Sequence, residues 1–212
     1  MKKLSIYITE KINPLKKNES GIIVFDIDDT LLKSNSETIK VYKTNPITKE
    51  RIALTTDEFA KDPDAAEHED WFDYSDFKDE SKVYKSIIEG TPIVKNLRIL
   101  DAYIAAGYHF CFLTARSCED TIKHAMREFL RYKDENGHLR ELEDKFKENM
   151  SAAINDKYKD YPGNTTPEKK ANVLRKLCSQ YDKVIFVDDD IKNIELAKSL
   201  KMNNLKIVKA QK

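Results

Sequence analysis

Three short apolar runs stand out along the chain: Gly21-Ile22-Ile23-Val24-Phe25, Tyr108-His109-Phe110-Cys111-Phe112-Leu113 and Val184-Ile185-Phe186-Val187. Each is rich in β-branched or aromatic residues and stops at a polar cluster, the pattern of strands buried on both faces of a parallel sheet. Leu205-Lys206-Ile207-Val208 predicts a closing strand, and Ser151-Ala152-Ala153-Ile154-Asn155 a weaker one. Elsewhere the apolar residues recur at helical spacing. Thr91-Pro92 reads as N-cap and first residue of a helix with inner face Ile93, Leu97, Leu100 and Ile104, ended by Gly107. Ser117 opens another with the S-x-x-D form of a capping box, and Ile122, Met126, Phe129 and Leu130 line its buried side. A third starts at Thr166-Pro167 and carries Val173, Leu174 and Leu177; a fourth runs through Ile191, Ile194, Ala197 and Leu200.

Strands alternating with helices predict a doubly wound, Rossmann-like α/β fold around a parallel sheet with right-handed crossovers. The stretch between the first two strong strands is far longer than one crossover helix needs, so it predicts a small cap inserted after the first strand. The expected division is a core of residues 1–32 and 91–212 and a lid of residues 33–90. Inside the lid, residues 38–42 and 51–54 flank Asn45-Pro46 and read as a β-hairpin. Asp62-Pro63 reads as a helix start, and Trp71, Phe72, Tyr74 and Phe77 as an aromatic cluster. Residues 133–149 are highly charged and poor in β-branched residues, which predicts a surface insertion.

Composition narrows the function classes. Lys+Arg and Asp+Glu cancel at 37 each, which argues against bulk attraction to nucleic acid or anionic lipid. Glu10 and Lys11 interrupt the opening apolar residues before they reach the length of a signal peptide, and no run suits a membrane span. Cys111, Cys118 and Cys178 are odd in number and lack metal-ligand spacing, which suits reduced thiols in the cytoplasm.

The chemistry sits where the strands end. In an open α/β sheet the carboxyl ends of the strands form the ligand crevice, and the first strand delivers Asp26-Ile27-Asp28-Asp29-Thr30 there. An ionised Asp26 can attack phosphorus once a cation screens the phosphate. Asp28 can protonate the leaving oxygen and later activate water, a role that asks for a raised pKa through its acidic neighbours. The second strand ends in Thr114-Ala115-Arg116, whose hydroxyl and free N–H groups before a helix suit a phosphate cradle. The third ends in Asp188-Asp189-Asp190, oxygen donors of the kind Mg²⁺ prefers, with Asn193 placed to brace them. Helical spacing from Val173, Leu174 and Leu177 turns Lys170 inward and Lys169 to its flank, so Lys170 is the expected cation.

These four segments, in this order, resemble the haloacid dehalogenase superfamily over roughly residues 21–208. Its D-x-D-x-T motif corresponds to Asp26 to Thr30, its strand-ending Thr to Thr114, its helix-start Lys to Lys169 or Lys170, and its acidic pair to Asp188-Asp189. The resemblance implies Asp26 as nucleophile, Asp28 as acid/base, and Thr114 and Lys170 as phosphate ligands. It also implies Mg²⁺ held by Asp26, the Asp28 backbone carbonyl and Asp189, although three consecutive acids leave that last ligand open. More closely, the chain is similar to phage-encoded and bacterial phosphatases of this superfamily, and more distantly to the phosphatase half of phage polynucleotide kinase-phosphatases.

The expected activity is hydrolysis of a small phosphate ester or nucleotide through an aspartyl-phosphate. Removal of a terminal phosphate from DNA or RNA is the rival within enzymes, and a non-catalytic phosphate-binding or assembly protein the rival outside them. A G-x-x-x-x-G-K-[ST] kinase loop is absent. Dehalogenation gives Asp28 no task, whereas a phosphomutase would use the same first motif. The aromatic cluster can stack a nucleobase, but in a small lid it more often forms the core. Neither His68, His109, His124 and His138 nor Tyr158, Tyr161 and Asn164 present a pattern that demands a role.

Overall fold

The computed structural model describes residues 12–133 and 163–211, apart from 60, 66 and 164. The weak strand candidate at 151–155, nearly all of the charged 133–149 stretch, His138, Tyr158, Tyr161 and Asn164 lie outside the described residues.

A four-stranded parallel sheet forms the centre. Its strands are β1 (Gly21–Phe25), β7 (His109–Phe112), β8 (Lys183–Asp188) and β9 (Leu205–Lys209), in the order β7-β1-β8-β9. β1 is hydrogen-bonded on both sides, with Phe25 level with Phe112 on one neighbour and Val187 on the other. Period-two alternation divides its side chains between two cores. Ile23 and Phe25 join Phe110, Phe112, Ile185 and Val187 on one face; Ile22 and Val24 join Cys111, Leu113, Val184 and Phe186 on the other. Both faces are covered, which is why β1 reads as an unbroken apolar run. Gly21 allows the Tyr108 ring to lie against the start of β1, since a Cβ there would come within 2.6 Å of a ring carbon.

Helices α3 (Val94–Ala105) and α4 (Glu119–Lys133) supply Leu100, Ile104, Ile122, Met126 and Phe129 to the first core. α5 (Thr166–Gln180) and α6 (Ile191–Ser199) supply Val173, Leu174, Leu177 and Ala197 to the second. Gly107, at φ 96°, ends the α3 segment in the left-handed region that glycine tolerates best. Two helix starts differ from their sequence signals. Thr91 and Pro92 form a short strand, β6 (Thr91–Pro92), antiparallel to β2 (Leu32–Lys33), and α3 begins only at Val94. The residue before a proline favours the extended region, and the pairing with Lys33 and Leu32 uses that bias. Ser117 is buried two residues ahead of α4, because Cys118 at φ 69° interrupts the chain before Glu119.

The β2–β6 pair places the exit and re-entry of the long insertion side by side. Within the insertion, β3 (Val41–Thr44) and β4 (Arg51–Leu54) form the expected hairpin, and β5 (Phe72–Asp73) adds a third antiparallel strand in the order β4-β3-β5. Asp62-Pro63 leads only into a single 3₁₀ turn, Pro63–Ala65, where Lys43 draws in the carboxylates of Asp62 and Asp64. The aromatic residues divide. Phe72 and Tyr74 pack edge-on against Phe59 of the short α1 (Thr56–Phe59), while Trp71 stacks on His68 and Phe77 packs against the first core. α2 (Glu80–Ile88) closes the insertion, capped by Asp79; its Tyr84 meets His124 and Glu128 of α4, and its Val83 and Ile87 enter the first core. Buried Asp76 ties this sheet to α2, accepting from the Lys40 backbone N–H, the Tyr42 hydroxyl and the Lys82 ammonium.

Candidate active site

Beyond β1 the chain makes a tight turn around one carbonyl. The Ile27 oxygen accepts the N–H groups of Thr30, Leu31 and Leu32, and Asp29 sits at φ 55° with its own N–H on the Leu32 carbonyl. Aspartate is among the few residues that enter that region readily. Leu31 and Leu32 anchor the turn in the core, and the buried Asn96 amide of α3 donates to the Thr30 carbonyl at 2.6 Å. Asp26 and Asp28 are therefore presented from a fixed backbone.

Asp26 meets Lys170 and the end of β8. α5 begins with a capping box, in which Thr165 and Glu168 satisfy each other's backbone N–H, and carries Pro167 in its first turn. One turn later Lys170 points inward on the face of Val173, Leu174 and Leu177. Its ammonium is buried and lies 2.8 Å from both Asp26 Oδ1 and Asp188 Oδ2; Lys169 is only half-buried. Burial alone would lower the pKa of Lys170, but the Asp26 and Asp188 carboxylates overcome it and keep the group protonated. Burial pushes the Asp26 carboxyl up to about 8, with Asp188 and Asp28 adding to the rise and Lys170 opposing it.

The three consecutive acids take different positions. Asp188, the last residue of β8, is fully buried and accepts from Lys170, the Asp190 N–H and the Asn193 amide. Asp189 follows it, near the Thr30 hydroxyl at 3.4 Å. Asp190 caps α6 through the Lys192 N–H. Carboxylate oxygens of Asp26, Asp188 and Asp189 lie within 4.8 Å of one another, an all-oxygen donor set that can hold a hard divalent cation.

Asp28 faces the other way. Its carboxylate forms a two-pronged ion pair with Arg116, Nε to Oδ2 at 2.7 Å and Nη2 to Oδ1 at 2.6 Å, and the Ser34 hydroxyl also donates to Oδ1. Burial by itself would raise this carboxyl, yet the Arg116 charge and hydrogen bonds, helped by Ser34 and Lys170, hold it below the ordinary carboxylate range. That reverses the direction expected from its acidic neighbours, since a contacting guanidinium outweighs carboxylates farther off. Thr114 is buried where β7 ends, its hydroxyl accepting the Arg116 N–H at 3.3 Å, and Ala115 is exposed beside it.

Nucleophile candidate, ammonium and acidic cluster thus gather at the carboxyl ends of β1 and β8, beside Thr114 from β7. A family model described as a hydrolase, haloacid dehalogenase-like hydrolase, matches residues 21–201. The chain belongs to the haloacid dehalogenase-like hydrolases. No curated protein and no solved structure matches it.

In this hydrolase, Asp188 joins the acidic cluster beside Asp26 and Asp189, and Ser34 and Ser86 join the surroundings of Arg116. Neither serine carries a local sequence signal. The separation of the acids has a measurable consequence. Asp190→Ala should cost about 1 kcal/mol of stability through the lost cap and leave cation affinity nearly unchanged. Asp189→Ala should weaken cation binding, read by calorimetric titration with Mg²⁺. The opposite ranking would assign the ligand to Asp190. Among the described residues no helix is long and apolar enough to cross a membrane.

Proposed function

We propose that this hydrolase is a Mg²⁺-dependent phosphomonoesterase that works through an aspartyl-phosphate on Asp26, with a small phosphate ester or nucleotide as substrate. The observation that carries the reading is the Lys170–Asp26–Asp188 contact, two buried 2.8 Å links that hold one carboxylate at the sheet's crevice. Among the described residues hydrogen bonds reach only Oδ1 of Asp26, which leaves Oδ2 for attack.

In the first half of the reaction a carboxylate oxygen of Asp26 forms a bond to phosphorus as the bond to the ester oxygen breaks, and Asp28, which enters this step in its acid form against the pull of the Arg116 ion pair, delivers the proton that oxygen needs. In the second, the Asp28 carboxylate takes a proton from water, the water oxygen bonds to phosphorus, and the acyl-phosphate bond breaks to give inorganic phosphate and restore Asp26. Thr114 and Lys170 hold the phosphoryl oxygens. Mg²⁺, held by Asp26, Asp189 and the Asp28 backbone carbonyl with Asp188 alongside, would supply the positive charge that lets an anion approach a phosphate dianion.

We assign residues 33–90 to a lid over this crevice. Its two ends support that assignment: Lys33 pairs with Thr91 across β2 and β6, and Ser34 and Ser86 both reach Arg116 beside Asp28. The core recognises phosphate, so discrimination among leaving groups falls to the lid. The test is a panel of phosphate esters assayed with Mg²⁺, including nucleoside 3′- and 5′-monophosphates and 3′-phosphorylated oligonucleotides. Turnover of small esters is expected; turnover confined to oligonucleotides would make the protein an end-processing phosphatase, and none on any ester would reject the reading.

A further inference from the structure

Arg116 is the largest fully buried side chain in the described protein, with 1 % of its surface exposed. Its hydrogen bonds account for every N–H it has. Nε and one Nη2 hydrogen go to the two oxygens of Asp28, the other Nη2 hydrogen to the Ser34 hydroxyl, and the Nη1 pair to the Ser86 hydroxyl at 2.9 Å and the Val83 carbonyl at 3.4 Å. A residue that grips phosphate needs donors to spare, and this one has spent all five.

The partners brace one another. Ser34 accepts from Arg116 and donates to Asp28, and Ser86 accepts from Arg116 and donates to the Val83 carbonyl. Ser86 and Val83 lie on α2, which packs on α4 and buries Val83 in the first core. The guanidinium is thereby held by α2 on one side and holds Asp28 on the other. A carboxylate has four acceptor positions. At Asp28, Oδ1 receives two bonds and Oδ2 one, so the one position left to carry the transferred proton is on Oδ2. The Asp28 side chain is one-third exposed, which keeps it open to the crevice.

We propose that Arg116 is a positioning residue for proton transfer, a five-donor clamp that orients Asp28 so that its Oδ2 meets the leaving oxygen. This rests on the phosphomonoesterase reading above. A planar, two-pronged fork holds a carboxylate in one orientation, which a lysine's point charge cannot do.

Proton delivery matters most when the leaving group is a poor one. The experiment compares 4-nitrophenyl phosphate with a primary alkyl phosphate, and adds inhibition by inorganic phosphate. In Arg116→Ala, kcat on the alkyl ester should fall by about a hundredfold, the lower end for a general acid. On the aryl ester the loss should stay within roughly tenfold of native, and the inhibition constant of phosphate within about threefold, because binding of the phosphoryl group is untouched. Ser34→Ala should show the same selective loss at smaller size, and it alone decides the matter if Arg116→Ala does not fold. Equal losses on both esters together with weakened phosphate inhibition would overturn the proposal and make Arg116 a phosphate ligand. If the native protein hydrolyses neither ester, the failure lies in the phosphomonoesterase reading, and the proposal falls with it.

Discussion

Asp26→Asn is expected to lower turnover by at least about a thousandfold on any ester the native protein hydrolyses, the scale at which a covalent-catalysis group is lost. The amide is nearly isosteric and its oxygen can still accept from Lys170, so the fold should persist. The amide has no charge to offer phosphorus and is a poor nucleophile. Stability should change little or rise, because the substitution removes one of several clustered carboxylates from a site where burial already disfavours the charged form. Circular dichroism and thermal melting establish the fold, and initial rates at saturating substrate establish the loss. A folded variant with near-native turnover would place the nucleophile elsewhere.

Removal of the divalent cation should have an effect of similar size. Asp26, Asp188 and Asp189 confront one another with Lys170 as the buried ammonium between two of them. Chelation is expected to abolish turnover and Mg²⁺ to restore it. A cation that binds only the folded chain also stabilises it, by about 2.7 kcal/mol at a hundred times its dissociation constant. For a protein of this size that corresponds to a rise in melting temperature of roughly 5–10 °C. Asp189→Ala should lose most of that rise. Chelator-resistant turnover with no change in melting would reject the metal role.

Some of this architecture was legible in the sequence for definite physical reasons. β1 and, from Val184 on, β8 are sandwiched between two cores, so their residues had to be apolar until the strands ended in acids. Lys170 could be placed because helical spacing from three apolar residues fixes a direction, and the structure has its ammonium buried there. Thr91-Pro92 misled because a local helix-start signal competes with strand pairing to a segment far away in the chain, and the pairing prevailed. The Arg116 clamp was invisible for a related reason. Arg116 lies 88 residues from Asp28 and 82 from Ser34, and nothing in the spacing of isolated serines announces that they will meet. Hence the expected raised pKa of Asp28 had the wrong sign: its acidic neighbours are adjacent in sequence, while its dominant partner is not.

The central claim, a phosphoryl group carried by Asp26, can be tested by trapping. The native protein is mixed with 4-nitrophenyl phosphate and Mg²⁺, quenched within a turnover, reduced with borohydride, digested and mapped by mass spectrometry. An aspartyl-phosphate is an acyl phosphate, which borohydride reduces to the alcohol, so homoserine should appear at position 26 and be absent when substrate is omitted. Homoserine at Asp28 or Asp189, or burst turnover with no reduced residue at all, would contradict the mechanism.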